Sequence, residues 1–241
     1  MRSVSSGQLA EGRGEMPKGW VETIIEEVGI ISTGNTPSKN DPDNYGNDIP
    51  FVKPGDLEKS GIISTTNEML SNKGAKSARL IKTNAVMITC IGNLGRVGIA
   101  GKDLATNQQI NSIQFYENCV LPKFGYFQSL GLKEWLEANS SATTLPIINK
   151  GRFSKAPFIL PPLNEQKRIV AKLDGIMPCI EAVKERLDKV PGILKRFRQS
   201  VLTTAVTGKL TEQWREEHPE VGDWDETSID NLADYITRQM N

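Results

Sequence analysis

Apolar side chains recur at alternating intervals of four and three residues along one stretch of the chain, without a missed position. They are Ile169, Leu173, Ile176, Ile180, Val183, Leu187, Val190, Leu194, Phe197 and Val201. This apolar stripe is a heptad pattern, and it predicts a helix over residues 165–205 with a length of about 60 Å at 1.5 Å per residue. So long a stripe favours pairing with a separate helix. A helical hairpin packed on its own domain is the alternative.

Proline and glycine residues set the expected bounds of this helix. Pro161 and Pro162 precede it, and proline disfavours helix before it but suits a first helical turn. Pro178 and Pro191 lie inside the pattern, where each removes a backbone donor. They predict a kink or a division of the helix, with the break expected just before Pro191. Gly208 is a natural C-cap, so the helix is expected to end there.

Residues 17–160 have a different pattern, in which short apolar runs are separated by glycine, asparagine and proline. These runs predict strands at residues 49–52, 85–91, 97–100 and 111–115. Two amphipathic stretches interrupt the strands, at residues 20–31 and 123–139, and the second has helical spacing. The fold class is therefore predicted as α+β: a mixed α/β domain over 17–160, followed by a long coiled-coil-forming helical arm over 161–208.

The two ends of the chain are polar. Residues 1–16 are expected to be a disordered leader, and residues 209–241 a loose tail. The tail repeats part of the first domain, with matches of Trp20, Glu22, Thr23 and Ile25 to Trp224, Glu226, Thr227 and Ile229. Such a repeat indicates the start of an aborted second domain, and so half of a two-fold architecture that a second copy can complete. Chance similarity over so few residues is the alternative.

Residues with catalytic chemistry are scarce. The lone histidine, His218, lies in a polar stretch, so no Ser-His-Asp or Cys-His set can be assembled around a buried imidazole. The sequence has no phosphate-binding GxxxxGK[ST] loop and no spaced carboxylate cluster for a metal ion. The three cysteines are widely spaced and are expected to be buried free thiols in a reducing cytosol. No apolar run approaches the roughly 20 residues of a membrane span.

The net charge does not indicate nucleic acid, because Lys plus Arg and Asp plus Glu both number 29. A DNA-binding prediction depends instead on polar loops near residues 32–40, 92–96 and 106–109. Asn and Gln suit adenine edges, Arg suits guanine edges, and neighbouring cations suit phosphates. The candidate DNA-binding residues are Thr36, Ser38, Lys39, Lys76, Arg79, Asn93, Arg96, Asn107, Gln108, Lys150 and Arg152. For Asn107 and Gln108, a structural role next to the strands is the alternative.

Taken in order, several segments resemble the specificity subunit of type I restriction-modification systems. They are residues 17–20 (PKGW), 33–38 (TGNTPS), 49–57 (IPFVKPGDL), 88–100 (ITCIGNLGRVGIA), 105–110 (ATNQQI), 160–174 (LPPLNEQKRIVAKLD), 195–202 (KRFRQSVL) and 207–215 (TGKLTEQWR). The most specific is 160–174, which is similar to the junction between a recognition domain and a conserved helix. The resemblance covers residues 17–238 and corresponds to a half-length form with one target-recognition domain.

The resemblance implies a non-catalytic subunit that reads double-stranded DNA and docks other subunits. Modification methyltransferase subunits would carry S-adenosylmethionine, restriction translocase/endonuclease subunits would join them, and this chain would bind no cofactor or metal. Because only one recognition domain is present, we expect a homodimer paired through the apolar stripe, Ile169–Val201. Its site would be a bipartite inverted repeat. We also expect a cytoplasmic location with no membrane partner.

Three other functions are compatible with the same residues. The first is a DNA-binding regulatory protein unrelated to restriction. The second is an enzyme that uses the glycine loop 92–98 on a phosphate substrate. The third is a scaffold or peptide-binding module held together by the apolar stripe.

Overall fold

The computed structural model describes residues 16–58, 61–141 and 144–221, and it confirms the α+β class. The chain forms two compact units that divide between Gly175 and Ile176. Sheets and short helices make up the first unit, and the second consists of the rest of a long helix and the short helical turns after it. The predicted leader, apart from Met16, and the repeat at Trp224 lie outside the described residues.

The predicted strands are confirmed, because all four apolar runs overlap strands of the first unit. In chain order, β1 to β11 are Val21–Ile24, Gly29–Thr33, Tyr45–Val52, Gly61–Ile63, Met69–Leu70, Leu80–Ile81, Val86–Thr89, Val97–Ala100, Leu104–Thr106, Ile110–Phe115 and Pro157–Leu160. The helices α1 to α7 are Ile25–Val28, Asn72–Ser77, Pro122–Leu130, Lys133–Ala138, Lys150–Phe153, Leu163–Val206 and Glu212–Glu217. Single 3-10 turns form at Pro42–Asn44, Pro54–Leu57, Lys209–Thr211 and Pro219–Val221.

The strands of the first unit pair into three sheets. A five-stranded sheet has the order β2-β10-β7-β8-β4, in which only β4 and β8 are parallel. A four-stranded sheet has the order β5-β3-β9-β6, and β1 pairs with β11 in a third. Strand β7 is buried on both faces: Val86 and Ile88 join one apolar cluster, and Met87 joins another. The five-stranded sheet therefore lies between two cores.

The pattern of the amphipathic stretch 20–31 predicts one element that interrupts the strands, but the structure divides this stretch. It is mostly strand: β1 pairs with β11, β2 pairs with β10, and only Ile25–Val28 is helical. Backbone pairing across the sheet determines this outcome, because tertiary contacts override local propensity. Gly29 fits the pairing closely, since a Cβ there would lie 2.8 Å from the carbonyl oxygen of Gln114. The second stretch, 123–139, is helical as its spacing predicts, but it is divided into α3 and α4.

The start of α6 is anchored to the first unit by a buried side chain, Gln166. The Gln166 Nε2 group donates hydrogen bonds to the carbonyl oxygens of Cys119 at 2.7 Å and Pro161 at 2.8 Å. Its Oε1 accepts from the backbone N–H of Leu121 at 2.9 Å. One side chain thus satisfies three backbone groups that have no partner in a sheet or helix ladder. This contact gives a physical reason for the junction sequence at residues 160–174.

The predicted division of the long helix at proline is wrong. Helix α6 runs from Leu163 to Val206 as one element of 44 residues, with Pro178 and Pro191 inside it. An interior proline costs about 3 kcal/mol because it removes a hydrogen bond and crowds the preceding turn. The helix around both prolines is exposed, so the carbonyl groups that they leave unpaired can be solvated. Gly208 has a φ of +72°, as expected for a glycine just beyond a helix end.

Candidate nucleic-acid interface

The loops with the candidate DNA-reading residues meet at one edge of the five-stranded sheet. Strand β2 reaches this edge at Thr33, which is paired with Asn111 near the start of β10. Strand β7 reaches it at Thr89, which is paired with Ile110, the first residue of β10. The connections after β2, before β10 and after β7 therefore lie side by side. We call this part of the sheet the loop edge, formed by residues 34–40, 107–109 and 90–96.

The loop after β2 is held in place by close packing and by one amide. A Cβ on Gly34 would lie 2.3 Å from the carbonyl oxygen of Asn107, so only glycine fits there. The Asn35 Nδ2 group donates to the carbonyl oxygen of Ser77 at 2.8 Å, and its Oδ1 accepts from the Arg79 N–H at 2.6 Å. The Arg79 guanidinium in turn donates to the carbonyl oxygen of Thr33. Asn35 therefore connects Arg79 to the loop edge, a role that sequence reasoning missed.

The loop before β10 contains two neighbouring amides in different environments. The Asn107 side chain is only 7% exposed. Its Nδ2 donates to Gln109 Oε1 at 2.9 Å, and its Oδ1 accepts from the Gln109 N–H at 3.1 Å. Gln108 is exposed, and its Oε1 accepts from Thr36 Oγ1 at 2.6 Å. This geometry favours the structural role for Asn107 and leaves Gln108 as the amide that can meet a ligand.

The glycine loop after β7 is a tight connection, as predicted. Gly92 and Gly95 both have a φ of +78°, which favours glycine. The Arg96 backbone N–H donates to Thr89 Oγ1 at 2.9 Å, and the Thr89 hydroxyl donates to the carbonyl oxygen of Asn93. Asn93 itself is exposed. The backbone of the loop is thus preorganised, and Asn93 is presented at its tip.

Arg96 lies on this loop, but its guanidinium is already engaged. Nη1 donates to the carbonyl oxygen of Pro54 at 3.0 Å and lies 3.1 Å from Glu58 Oε1. The Arg96 side chain is 29% exposed, whereas that of Glu58 is 64% exposed. Both groups border a cavity of about 520 Å³ that also has Lys133 and Glu137 in its lining. A DNA contact by Arg96 would therefore have to replace or share the Glu58 pair.

The remaining candidates differ in how the structure places them. Ser38, Lys39 and Lys76 are exposed, the first two on the loop after β2 and the third in α2. Lys73, one turn before Lys76, is neutralised by Asp41 and Asp43 at 2.9 and 3.2 Å, and its hydrogen bond to Asp41 raises the pKa of Lys73. These cations therefore do not form one uniform positive surface.

Lys150 and Arg152 belong to a different element, the short helix α5. The Asn149 side chain caps this helix by accepting a hydrogen bond from the Arg152 N–H at 2.8 Å. The Arg152 guanidinium donates to the carbonyl oxygen of Asn139 at 2.7 Å. Both side chains are exposed. The structure does not place either of them in the three connections that form the loop edge.

The groups at the loop edge suit hydrogen bonding rather than covalent chemistry. Cys90 follows β7 directly, but burial raises the pKa of its thiol to about 12, so the nucleophilic thiolate is disfavoured. Within residues 16–58, 61–141 and 144–221, no group of three or more His, Cys, Asp or Glu side chains is arranged to hold a metal ion. His218 stacks on Trp214, with ring centroids 4.5 Å apart.

The apolar stripe on α6 changes its environment along the helix. Ile169 is half-buried and packs against the main core of its own domain. From Ile176 onward the stripe is exposed, and Leu187 and Phe197 reach 62% and 67% exposure. The residues after 175 therefore present a continuous apolar surface that the described part of the chain leaves uncovered.

A family model for the type I restriction modification DNA specificity domain matches residues 17–191. The chain belongs to this family. The match begins at the predicted start of the recognition domain and extends into α6, so the resemblance drawn from the sequence motifs is confirmed. This family is defined by DNA specificity rather than by a catalytic activity, in agreement with the prediction of a non-catalytic recognition subunit.

Curated members of the specificity-domain family are similar over part of their length. The chain is 28% identical over 218 residues to the specificity subunit of the type I restriction enzyme EcoKI from Escherichia coli K12, covering 86% of this chain and 47% of that protein. It is 33% identical over 150 residues to the HindI specificity subunit from Haemophilus influenzae, covering 61% of this chain and 33% of that protein. The chain thus spans about half the length, or less, of these relatives.

Solved structures support the same fold. The HsdS subunit from Thermoanaerobacter tengcongensis superposes with a TM-score of 0.60 at 22% identity, over 81% of this chain and 47% of that chain. A chain from a structural study of complex assembly in the type I R-M system superposes with a TM-score of 0.65, at the same identity and coverage. None of the helices in the described ranges combines the length and apolar character that a bilayer crossing requires.

Proposed function

We propose that this chain is a DNA-specificity subunit of a type I restriction-modification system and reads one half-site of a bipartite DNA sequence. The observation that carries the proposal is the convergence of three separate connections at the loop edge. They come from distant parts of the sequence, and antiparallel pairing of β2, β10 and β7 brings them together. Family membership supports the same function.

The loop edge has the chemistry that base reading requires. Gln108, Thr36 and Asn93 present an amide, a hydroxyl and a second amide, and such groups hydrogen-bond to base edges in the major groove. Their backbones are held by Gly34, Asn35 and the Thr89 hydroxyl. A preorganised loop loses less conformational entropy on binding, which favours affinity. Lys39, Lys76 and Arg79 suit phosphate contacts, which set the register on DNA.

We further propose that two copies pair through the exposed part of the apolar stripe, Ile176–Val201. An exposed apolar surface of this length is typical of a protein interface. Antiparallel pairing of identical helices has two-fold symmetry, so every contact from one residue to another is repeated in reverse between the two copies. Two identical loop edges would then read an inverted repeat, and the helices would set the length of the spacer between the half-sites.

The reaction chemistry belongs to other subunits in this proposal. Modification methyltransferase subunits bring S-adenosylmethionine, restriction translocase/endonuclease subunits join the complex, and this chain contributes recognition and docking without a cofactor. The residues at the loop edge are consistent with this division of labour, because they offer hydrogen-bonding groups and a thiol whose pKa is raised by burial.

Methylation mapping of a whole genome tests the proposal. Cells expressing this chain with its modification subunits should methylate adenines in one gapped sequence whose two halves are inverted repeats. Cells with the modification subunits alone are the control and should leave that sequence unmethylated. An asymmetric or ungapped site would contradict the pairing of two identical copies. Absence of any new methylated sequence would contradict the specificity function itself.

A further inference from the structure

The ionisable side chains of α6 change character along the helix. Residues 163–188 have five acidic and five basic side chains, whereas residues 189–211 have five basic side chains and no acidic one. Lys189 is paired with Glu185 at 2.9 Å. The other four cations form no ion pair with any carboxylate in the described ranges: Lys195, Arg196, Arg198 and Lys209. The second part of the arm is therefore purely cationic.

Two of these cations belong to a groove at the end of α6. The polar groove has a volume of about 350 Å³ and is lined by Arg196, Gln199, Ser200, Thr203, Thr204, Thr207 and Lys209. Its lining contains no carboxylate and no apolar side chain larger than the methyl group of threonine. Such a lining is complementary to an anion and unsuited to an apolar ligand.

Most of the polar groove lies on a different face of the helix from the apolar stripe. Arg196, Ser200, Thr203 and Thr207 recur at intervals of four, three and four residues, which places them on one face. At about 100° per residue, this face lies roughly 140° from the one that carries Leu194 and Val201. A second helix that covered the apolar stripe would therefore leave this face of the groove open, although Thr204 lies in the register of the stripe.

Hydrogen-bond donors remain available in the groove. The hydroxyls of Thr204 and Thr207 donate to backbone carbonyl oxygens one turn earlier, at 2.8 and 2.7 Å. The side chains of Gln199, Ser200 and Thr203 form no hydrogen bond with another described residue. Together with the Arg196 guanidinium and the Lys209 ammonium, they offer charged and neutral donors to the same space. Phosphate oxygens of a nucleic acid backbone accept bonds from this combination of groups.

We propose that the polar groove binds the phosphate backbone of duplex DNA independently of its sequence. The contact goes beyond the proposed function, because it involves the helical arm rather than the loop edge and reads no bases. It would hold the DNA between two half-sites, where a bipartite sequence is non-specific. Charge complementarity is the basis for choosing DNA: the groove and its neighbours Lys195 and Arg198 present four unpaired cations.

The test measures binding to duplex DNA at several salt concentrations. The DNA lacks the target sequence that methylation mapping identifies. The full chain and its Arg196→Gln/Lys209→Gln variant are compared by fluorescence anisotropy over a range of salt concentrations. Each lost phosphate contact lowers the slope of log affinity against log salt by about 0.9, so the double variant should reduce the slope by about two and weaken binding. A Thr203→Glu variant, which adds a negative charge to the groove, should weaken binding as well.

A matched control is the Lys184→Gln/Arg186→Gln variant, which removes two exposed cations of the same helix outside the groove. It should change the slope less than the groove variant does. Equal slopes for the groove variant and the unchanged chain would overturn the proposal. The proposal would also be overturned if the groove variant bound DNA as before but no longer bound the methyltransferase subunits. The groove would then be a contact surface for protein. Since the DNA has no target site, this result is independent of methylation mapping.

Discussion

The recognition domain and the second part of α6 differ in what they do with apolar side chains. In the domain, Phe51, Ile113 and Phe158 are almost fully buried, whereas on the helix Leu187 and Phe197 are more than 60% exposed. The polar side chains differ as well. The Asn35 side chain bonds to Ser77 and Arg79 and the Asn107 side chain bonds to Gln109, whereas the side chains of Gln199 and Ser200 form no hydrogen bond with a described residue. The domain thus has a buried apolar core of its own, whereas the second part of the helix leaves its apolar side chains exposed.

The contrast predicts which substitutions affect folding and which affect assembly. Changes at buried positions of the domain should lower the free energy of unfolding. Changes on the exposed helix should leave folding nearly intact and weaken association. Five substitutions, in four predictions, test this distinction from the largest expected effect to the smallest.

Gln166→Ala should destabilise the domain most. Removal of this amide leaves the N–H of Leu121 and the carbonyl groups of Cys119 and Pro161 without their buried partner. Each unsatisfied buried group costs about 1–3 kcal/mol, so urea denaturation should show a free energy of unfolding lower by about 3–5 kcal/mol. Lys167→Ala, at an exposed position of the same helix, is the control. A loss below about 1 kcal/mol for Gln166→Ala would mean that Gln166 does not anchor α6.

Leu187→Glu should leave the domain folded but prevent pairing. The stability of the domain should change by less than about 0.5 kcal/mol because the position is exposed. The paired form loses two buried leucines, worth at least about 1.5 kcal/mol each, so association should weaken by about a hundredfold or more. Co-purification of two differently tagged copies, in the presence of the modification subunits, measures this loss.

Ala182→Glu is the matched control for this prediction, since it adds the same charge to an exposed position outside the apolar stripe. It should preserve co-purification. If Leu187→Glu paired as well as the unchanged chain, the apolar stripe would not be the surface on which two copies meet.

Gly34→Ala should disrupt the packing between the loops of the loop edge. The added Cβ would lie 2.2 Å from Thr106 Oγ1 and 2.3 Å from the carbonyl oxygen of Asn107. Overpacking of this kind costs about 1–3 kcal/mol, and it should separate the loop after β2 from the loop before β10. We expect lower stability in urea together with weaker binding to the methylated site. Gly55→Ala, where no atom lies within 4 Å of the added Cβ, should change neither. Normal DNA binding by Gly34→Ala would argue against this packing.

Asn107→Ala and Gln108→Ala should have separable effects although they are neighbours. Asn107→Ala removes a buried amide from its turn and should lower the free energy of unfolding by about 1 kcal/mol. Gln108→Ala should change stability by less than about 0.5 kcal/mol. It should instead reduce discrimination between bases at one position by about 1 kcal/mol or more. Methylation mapping and urea denaturation distinguish the two. Equal stability losses with no change of site would contradict a reading role for Gln108.

Local patterns in the sequence predicted the regular elements and the family. Four apolar runs overlap observed strands, the alternation from Ile169 to Val201 lies in one helix, and the junction motif at 160–174 marked the family. Two predictions made from local sequence patterns were wrong. Pro191 did not divide α6, and residues 20–31 were recruited into two sheets. Sequence periodicity describes which side chains share a face, but it does not determine which backbone they pair with.

The sequence by itself determined the apolar stripe, the tight glycine loop after β7 and the polar composition of the three connections, because these depend on neighbours a few residues away. Only the tertiary structure decided which polar groups are free. In the structure, Arg96 contacts Pro54 and Glu58, the Asn107 amide is buried in its own turn, and Gln108 is exposed. The pairing of β2 with β10, which contributes to this, joins residues 78 to 86 positions apart. Contacts over such separations depend on the packing of the whole domain, which no local pattern encodes.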